Sequence, residues 1–217
     1  MTYTPSATNA MSLTSALVSD ALDGLGYADR CLGSGIVPLG VGMATIGRAF
    51  PVTAVRVDET PDARYVGLLR ALDEIEPNDI YVVSSGGAVD VALWGELLST
   101  IALARGAVGA ICDGLVRDAA RIRALGFPVF SRGTVPLDIH GRFEVVGHGS
   151  PVTIDGIEIA RGDLLIADDD GVIVVPPAAE NDVLARATEK GTAEDGFRRD
   201  VADGMLPSLA YALHRVL

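Results

Sequence analysis

The middle of the chain alternates short apolar runs with helical patterns, and this alternation constrains the fold more than any other feature. Residues 80–83, 107–112 and 128–130 have the short apolar pattern of buried strands, and helical patterns at 91–104 and 119–125 separate them. A strand, helix, strand, helix, strand order is typical of parallel pairing with right-handed crossovers. The sequence therefore predicts an α/β fold with a central, partly parallel sheet and flanking helices.

Segments nearer the N-terminus extend this core. Residues 12–26 carry apolar side chains at helical spacing, and residues 49–57 alternate as a strand does. The pair Thr60 and Pro61 is a helix-start signal, and the apolar positions that follow it keep helical spacing through Ile75. These segments predict two further helices and one further strand.

The C-terminal third has a different pattern. Short alternating pieces between residues 143 and 175 are separated by Gly and Asp turns, which predicts an antiparallel meander that forms a second β layer. Pro176 ends the last strand, and residues 178–202 form one or two polar helices. Because we find neither an internal repeat nor a low-complexity linker, residues 1–217 are predicted to form a single domain.

Charge and composition exclude several classes of protein. The formal net charge is -12, and the longest run of basic residues is a pair, so a nucleic-acid partner is excluded. Since no apolar stretch is long enough for a membrane span or a signal peptide, we expect a protein with no membrane partner. The two cysteines, Cys31 and Cys112, allow one disulfide at most, and Cys112 lies in an apolar run. These features favour a reducing, cytoplasmic location.

Common catalytic motifs are missing from the sequence. It contains no G-x-G-x-x-G, no Walker loop, no H-E-x-x-H and no C-x-x-C, which disfavours a nucleotide-dependent enzyme. The three histidines are His140, His148 and His214, and they lack metal-ligand spacing.

Chemically useful residues follow two of the predicted strands. We expect the strand at 80–83 to end at residues 84–87, which include Gly86 and Gly87, and the next strand to end at 113–118. Ligands of open α/β sheets bind beyond the carboxyl ends of parallel strands. Glycines there, with Gly95 and Gly114, let backbone N–H groups approach a ligand, and a helix that starts near Gly95 would aim its first amides at an anion.

The adjacent pair Arg117 and Asp118 lies in the second of these segments. Arg117 has the chemistry to bind a carboxylate or to polarise a carbonyl oxygen, and Asp118 has the chemistry to bind a hard cation such as Mg²⁺. Together they describe a site for a metal-bound oxo acid. On spacing alone, a surface ion pair explains the same two residues slightly better than a binding site does.

Five stretches of the sequence resemble one known family. They are VSDALD at 18–23, WGELL at 94–98, RGAVGAICDGLVRD at 105–118, GFPVFSRG at 126–133 and ADDDGVIVVP at 167–176. The family is shared by 4-hydroxy-4-methyl-2-oxoglutarate aldolases and the regulator of ribonuclease E activity A (RraA-like). Its aldolase branch is marked by an acidic residue, twenty intervening residues and Arg-Asp, a pattern that Glu96, Arg117 and Asp118 match. The family typically has Asp where Glu96 stands.

The resemblance implies a fold and an activity. The fold would be the RraA-like swivelling β/β/α fold, assembled as a homotrimer or hexamer. The activity would be that of a lyase, a class II pyruvate aldolase that depends on a divalent metal cation (Mg²⁺ or Mn²⁺). Substrates of the family are 4-hydroxy-4-methyl-2-oxoglutarate and 4-carboxy-4-hydroxy-2-oxoadipate, and oxaloacetate decarboxylase activity often accompanies the aldolase.

The resemblance also implies roles for individual residues. Arg117 would polarise the carbonyl of the 2-oxo acid, Asp118 would bind the metal, and Glu96 would hold metal-bound or catalytic water. The amides of Leu97 and Leu98, beside Gly95, would bind the substrate carboxylate. An acidic residue from the C-terminal helix of a neighbouring subunit completes such sites, and Glu194, next to Asp195, is the candidate here.

A second interpretation belongs to another class of protein. The regulator branch of the family contains acidic trimers that bind and inhibit a ribonuclease without catalysing a reaction. A pure inhibitor has no physical reason to keep Glu96, Arg117 and Asp118 together, so the complete set favours the enzyme.

Overall fold

The structure is a computed structural model, and it describes residues 13–58 and 64–217. Its helices are α1 (Ser15–Gly24), α2 (Val66–Asp73), α3 (Glu96–Ala104), α4 (Ala119–Leu125), α5 (Glu180–Ala202) and α6 (Pro207–His214). Its strands are β1 (Val37–Pro38), β2 (Thr45–Arg56), β3 (Asp79–Trp94), β4 (Gly109–Val116), β5 (Val129–Ser131), β6 (Phe143–His148), β7 (Val152–Ile154), β8 (Ile157–Ile159), β9 (Leu164–Asp168) and β10 (Gly171–Val175).

One mixed sheet organises the chain. Its strand order is β1-β5-β4-β3-β2-β9-β10, and β6 also pairs with β2. The pairs β2–β3, β3–β4 and β4–β5 are parallel, and α3 and α4 are the crossovers between the last three of these strands. The prediction of a mixed α/β fold around a partly parallel sheet is therefore confirmed.

The predicted C-terminal meander is only partly correct. Strands β9 and β10 pair with each other, but β9 also pairs with residues Thr45 to Arg48 of β2, and β6 pairs with the other end of β2. Because β2 is 12 residues long, it has room for two antiparallel partners along one edge. Only β7 and β8 form a separate two-stranded sheet, and this hairpin is the second β layer.

The sheet is buried on both faces. On one face the aromatic side chains of Phe50, Tyr81 and Trp94 pack in the cluster that α2, α3 and α4 cover. On the other face Val82 and Ile111 belong to the cluster that includes the β7–β8 hairpin. A third cluster joins α1 and α5 to β9 and β10. Burial on both faces explains why the parallel strands have unbroken apolar runs in the sequence.

Strand β3 extends far beyond the end predicted for it. The sequence places the end at residues 84–87, whereas β3 continues to Trp94 with register shifts against β4 after Val83. Gly86 and Gly87 have positive φ angles of 73° and 77°, so the pair forms an irregularity within the strand and does not end it. The predicted helix at 91–104 was wrong in its first turn, since α3 begins at Glu96.

The remaining boundaries differ from the predictions by a few residues. Helix α1 begins after Thr14, whose hydroxyl accepts a hydrogen bond from the amide of Leu17, while Ser12 lies outside the described residues. Thr60 and Pro61 also lie outside them. Cys112 is buried and reduced, as its apolar run predicts, and Cys31 is exposed. Among the described residues, we find no helix with the length and apolar character that a membrane crossing requires.

Candidate active site

The site is built where β3 and β4 end side by side. Trp94 and Val116, the last residues of the two strands, are register partners, and the amide of Arg117 donates a 2.9 Å hydrogen bond to the carbonyl of Trp94. Because the strands are parallel, the residues that follow them emerge at the same edge of the sheet. This pairing brings Gly95 and Glu96 next to Arg117 and Asp118.

Gly95 allows the two segments to approach closely. A Cβ atom at this position would lie 3.1 Å from Oδ2 of Asp118 and 3.3 Å from Cγ of Arg117, tighter than ordinary van der Waals contact. The backbone of Gly95 is extended and any residue could adopt it. We therefore attribute the glycine to the close approach.

The N-terminus of α3 faces this junction. The amide of Ser99 makes the first intrahelical hydrogen bond, to the carbonyl of Gly95, so the amides of Glu96, Leu97 and Leu98 precede it. The amide of Glu96 donates to Oδ2 of Asp118 at 3.4 Å. Free amides at the positive end of a helix dipole attract a carboxylate.

The α3 N-terminus is anchored by a buried hydrogen-bond chain. Nε1 of Trp94 donates to Oγ of Ser99 at 2.8 Å, and this hydroxyl donates to the carbonyl of Gly95 at 3.1 Å. Both side chains are at most 1% exposed. A satisfied chain of this kind holds the start of the helix in one position.

Asp118 presents its carboxylate to the site from an unusual backbone conformation. Its φ angle is 58°, in the left-handed region that Asp and Asn tolerate better than most residues. Its carboxylate lies 3.6 Å from Nε of Arg117, and its side chain is 43% exposed. The carboxylate is thus accessible and only weakly engaged within the chain.

A second carboxylate, Asp138, holds Arg117 from the other side. Oδ1 of Asp138 lies 3.5 Å from Nη1 of Arg117, and Oδ2 accepts a 2.7 Å hydrogen bond from the hydroxyl of Tyr65. This hydrogen bond raises the pKa of Tyr65, burial raises it further, and the charge of Arg117 opposes the shift. The guanidinium is therefore flanked by two carboxylates.

Sequence reasoning missed Asp138 and Tyr65. Tyr65 has the helical spacing of a core position, and its side chain does pack against the core, but its hydroxyl turns to Asp138. Asp138 lies in an irregular segment after β5, where no spacing relates it to Arg117. An isolated bridge between Ala92 and Asp138 brings that segment to β3.

These residues line a cavity of about 320 Å³. Its polar side chains are Tyr65, Arg117, Asp118 and Asp138, and its apolar wall includes Leu68, Leu69, Leu93, Leu97, Leu98 and Ile101. The wall comes from α2, α3 and the end of β3. Of the sequence-predicted site residues, Gly95, Leu97, Leu98, Arg117 and Asp118 line this cavity.

Glu96 is close to the cavity but does not line it. Its Oε1 accepts a 3.1 Å hydrogen bond from the hydroxyl of Thr100, one turn further along α3. The side chain is partly exposed. The predicted role of Glu96 in holding water stays a prediction.

Glu194 lies on α5 in a separate groove. Its carboxylate pairs with Arg198 at 2.5 Å and with Lys190 at 3.9 Å. The groove is lined by Glu194, Asp195, Thr188 and Thr192 of α5 together with residues at the start of α1. The predicted entry of Glu194 into the site of a neighbouring subunit stays a prediction.

The glycines upstream of the site have a packing role, contrary to the sequence interpretation. The amide of Gly87 donates to Oδ2 of Asp113 at 2.9 Å, and Arg132 binds the other carboxylate oxygen of Asp113. A Cβ atom at Gly114 would lie 2.7 Å from the carbonyl of Ala88. The amide of Gly87 and the close contact at Gly114 are thus used within the sheet, so the structure gives these two glycines a packing role. The expected ligand approach at Gly86 stays a prediction.

The donor set restricts which metal the site could hold. Within residues 13–58 and 64–217, no group of three or more His, Cys, Asp and Glu side chains is arranged as a metal site. Mg²⁺ commonly binds through one or two carboxylates and keeps several waters. The carboxylate of Asp118, whose side chain is 43% exposed, fits that requirement.

Comparison with known proteins decides the family. The family model described as RraA-like, Aldolase/RraA, matches residues 15–174. The chain belongs to the RraA-like family. The matched region contains every strand of the sheet except the last residue of β10, as well as the whole cavity.

Curated relatives in the RraA-like family differ in length. The chain is 30% identical over 200 residues to a protein of Halalkalibacterium halodurans named "Putative 4-hydroxy-4-methyl-2-oxoglutarate aldolase", and covers 90% of it. It is 29% identical over 194 residues to "Protein DlpA" of Legionella pneumophila, but it spans only 31% of that protein's length.

Solved structures agree with the RraA-like fold. An uncharacterized protein from Pseudomonas syringae superposes with a TM-score of 0.83 at 31% identity, over 96% of this chain and 99% of that one. Streptomyces coelicolor RraAS2, described as an unusual member of the RNase ES inhibitor RraA protein family, superposes with a TM-score of 0.77 at 28% identity, over 91% and 99% of the two chains. The family therefore includes proteins named as aldolases and proteins named as ribonuclease inhibitors.

Proposed function

We propose that this protein is a class II pyruvate aldolase that depends on a divalent metal and also decarboxylates oxaloacetate. One observation carries the proposal: Arg117 and Asp118 lie beside the free amides at the N-terminus of α3 and share a cavity of about 320 Å³ with them. The relative named as an aldolase supports the reaction class. We propose that the whole chain acts as one RraA-like domain on substrates of the 4-hydroxy-4-methyl-2-oxoglutarate or 4-carboxy-4-hydroxy-2-oxoadipate type.

In this proposal the 2-oxo acid binds by its C1 end. The amides of Leu97 and Leu98 receive the C1 carboxylate, because they lie at the positive end of the α3 dipole. Arg117 donates to the C2 carbonyl oxygen, and its two flanking carboxylates keep the guanidinium pointed into the cavity. The substrate is thereby oriented with C3 and C4 toward the apolar wall.

Cleavage of the C3–C4 bond moves a proton and an electron pair. The C4 hydroxyl loses its proton and becomes a carbonyl, while the electron pair of the broken bond passes to C3 and onto the C2 oxygen. Arg117 stabilises the charge that develops on this oxygen through preorganised donors. We assign removal of the hydroxyl proton to a water held by Glu96, since no histidine lines the cavity in the part of the chain that the structure describes.

Asp118 is the residue we assign to the metal, with Glu96 as a partner for a metal-bound water. A divalent cation bound there supplies Lewis-acid polarisation of the 2-oxo acid. Decarboxylation of oxaloacetate uses the same polarisation of the C2 carbonyl and needs no base for a hydroxyl. One site therefore serves both reactions.

Pyruvate release tests the proposal directly. Purified protein is supplied with 4-hydroxy-4-methyl-2-oxoglutarate or with oxaloacetate, in Mg²⁺, in Mn²⁺ or in EDTA, and pyruvate is coupled to lactate dehydrogenase. Reactions without protein correct for the spontaneous decay of oxaloacetate. We expect turnover of both substrates that EDTA abolishes and added metal restores. Absence of metal-dependent turnover on either substrate would contradict the proposal.

A second candidate function is inhibition of a ribonuclease without catalysis. The net charge of -12 suits a partner with a basic surface, and the RraAS2 relative is described as belonging to a family of ribonuclease inhibitors. The test is RNA cleavage by an RNase E-type enzyme with increasing amounts of the protein. Inhibition that persists in an Arg117→Ala variant, with no pyruvate formed by the parent protein, would favour this candidate.

A further inference from the structure

Arg117 can pair with either of two carboxylates, and the choice affects the proposed metal site. Its Nε lies 3.6 Å from Oδ2 of Asp118, and its Nη1 lies 3.5 Å from Oδ1 of Asp138. All three side chains line the same cavity. Since Asp118 is the residue that we assign to the metal, an ion pair with Arg117 and a bound cation would use the same carboxylate.

A guanidinium next to a metal-binding carboxylate weakens cation binding in two ways. A full ion pair would occupy the oxygens of Asp118, and the positive charge of Arg117 repels a second cation nearby. This full pair is not formed in the structure, because the 3.6 Å between the two groups exceeds the length of a good hydrogen bond. An interaction elsewhere must therefore keep Arg117 from closing onto Asp118.

Asp138 is held in place by donors of its own chain. Its Oδ2 accepts a 2.7 Å hydrogen bond from the hydroxyl of Tyr65, at the start of α2, and its Oδ1 accepts a 2.8 Å hydrogen bond from the amide of Ile139. Because both oxygens have a partner, the carboxylate keeps one orientation. It is thus a fixed counter-ion for the guanidinium of Arg117.

The charges of this cluster also favour cation binding. One guanidinium and two carboxylates leave an excess of negative charge, whereas Arg117 and Asp118 alone would form a neutral pair. A divalent cation is attracted more strongly to the cluster than to the neutral pair. Further carboxylates from a neighbouring subunit would not remove the competition between Arg117 and the cation for Asp118.

We infer that Asp138 is a positioning residue that holds Arg117 away from Asp118 and so leaves the Asp118 carboxylate free for a divalent cation. In this arrangement Asp138 does not contact the cation and acts on it through Arg117. The inference rests on the proposed function, specifically on the assignment of Asp118 to the metal.

The metal affinity of the substrate-free protein tests the inference. Purified protein is titrated with Mn²⁺, and the free ion is measured by its EPR signal. In Asp138→Asn the amide oxygen still accepts one of the two hydrogen bonds, but no charge remains to hold Arg117. We expect the Kd for Mn²⁺ to rise about fivefold, the equivalent of one favourable ion pair between partly exposed groups. A Kd equal to that of the wild type would overturn the inference.

Asp90→Asn is the matched control for the loss of a charge. Asp90 pairs with Arg56 at 2.7 Å, as Asp138 does with Arg117, but it does not line the cavity. The same substitution there removes the same charge and also breaks an ion pair with an arginine. We expect this variant to keep the wild-type Kd, and an equal rise in both variants would reduce the effect of Asp138 to net charge and overturn the inference.

Removal of Arg117 shows whether Asp138 acts through it. Without the guanidinium nothing competes for Asp118, so Arg117→Ala should bind Mn²⁺ at least as tightly as the wild type. Addition of Asp138→Asn to this variant should change the Kd by less than about twofold. A loss as large as in Asp138→Asn alone would make Asp138 a direct partner of the cation and would overturn the positioning role.

Asp118→Asn separates the inference from the proposed function. If this variant binds Mn²⁺ as the wild type does, or if the wild type binds none, the metal assignment is wrong and the inference falls with it. If Asp118→Asn loses Mn²⁺ while Asp138→Asn keeps the wild-type Kd, the inference alone is wrong and the metal assignment stands.

Discussion

Arg117 is held in the cavity by its backbone and by two carboxylates. Its amide is bonded to the end of β3, and Asp118 and Asp138 lie on either side of its guanidinium. Such an arrangement aims the donors before a substrate arrives, which is the condition under which electrostatic stabilisation is most effective.

We expect Arg117→Ala to lower kcat for oxaloacetate decarboxylation by about 100-fold or more, the effect of removing one preorganised donor in other enzymes. Arg121→Ala is the control, since Arg121 is exposed on α4, one turn from Asp118. Steady-state kinetics with saturating Mg²⁺ measure both variants. A fall in both variants, or in neither, would mean that the site is misplaced.

Two substitutions at Asp118 separate its charge from its backbone conformation. Asn tolerates the left-handed region, whereas Ala there costs roughly 1–2 kcal/mol. We expect Asp118→Asn and Asp118→Ala both to lose the response of kcat to added Mg²⁺, but only Asp118→Ala to lose stability in urea unfolding. A normal Mg²⁺ response in Asp118→Asn would remove Asp118 from the proposed metal site.

Residues of the site differ in how visible they are in the sequence. The proximity of Arg117 and Asp118 to Gly95 and Glu96 is predictable, because a charged pair follows one strand and a family pattern relates it to an acidic residue that follows the neighbouring strand. The contact between Asp138 and Tyr65 cannot be predicted from the sequence, because it joins an irregular segment to the start of a helix. No periodicity links such positions, and the sequence alone cannot place them in one cavity.

At the scale of elements, the sequence predicts which segments are strands better than where they end. β3 shows the reason. Gly86 and Gly87 are a strong turn signal, yet the strand resumes after them because residues 91–94 are buried on the sheet. A run of buried apolar residues is compatible with either a strand or a helix. In residues 91–94 the packing against the rest of the sheet favours the strand.

The packing of α2 against β6 determines the position of the cavity wall that α2 forms. A Cβ atom at Gly67 would lie 1.8 Å from the carbonyl oxygen of Val145, so α2 must shift if the side chain is added. We expect Gly67→Ala to lower the free energy of unfolding by about 1–3 kcal/mol, as overpacking does, although Ala is the better helix former.

The same substitution should raise KM, because α2 contributes Leu68 and Leu69 to the cavity. Gly147→Ala on β6 is the matched control: nothing lies within 4 Å of its Cβ position, and it should behave as wild type. Chemical denaturation and steady-state kinetics measure both variants. Wild-type stability in Gly67→Ala would contradict the close contact between α2 and β6.

At the scale of the whole molecule, several apolar side chains lack cover. Helix α6 exposes Leu206 at its start together with Leu209 and Leu213, each by more than half. We expect light scattering to give a mass three or six times the 22.5 kDa of one chain, as a trimer or hexamer requires. A monomer at micromolar concentration would contradict this expectation. It would also contradict the predicted contribution of Glu194 to the site of a neighbouring subunit.

Subunit mixing tests whether Glu194 completes the site of a neighbour. We expect Glu194→Gln and Arg117→Ala each to have low activity alone. When the two are unfolded together and refolded, some sites combine an intact Arg117 with an intact Glu194 from another chain, and part of the activity returns. Asp195→Asn mixed with Arg117→Ala is the control, and it should only average the two activities. Absence of recovery in the first mixture would mean that Glu194 does not act in a neighbouring site and only pairs with Lys190 and Arg198 of its own chain.

The irregular stretch of β3 has a consequence for changes in chain length. Between Val83 and Trp94 the register of β3 against β4 shifts three times, while β4 runs on without interruption. Insertion or deletion of a residue in this stretch would alter the bulges while leaving the paired segment before Val83 in place. It would also rotate or translate Gly95 and the start of α3 relative to Arg117. Changes in the length of this stretch are therefore a route by which the start of α3 can move relative to Arg117 while the sheet before Val83 stays unchanged.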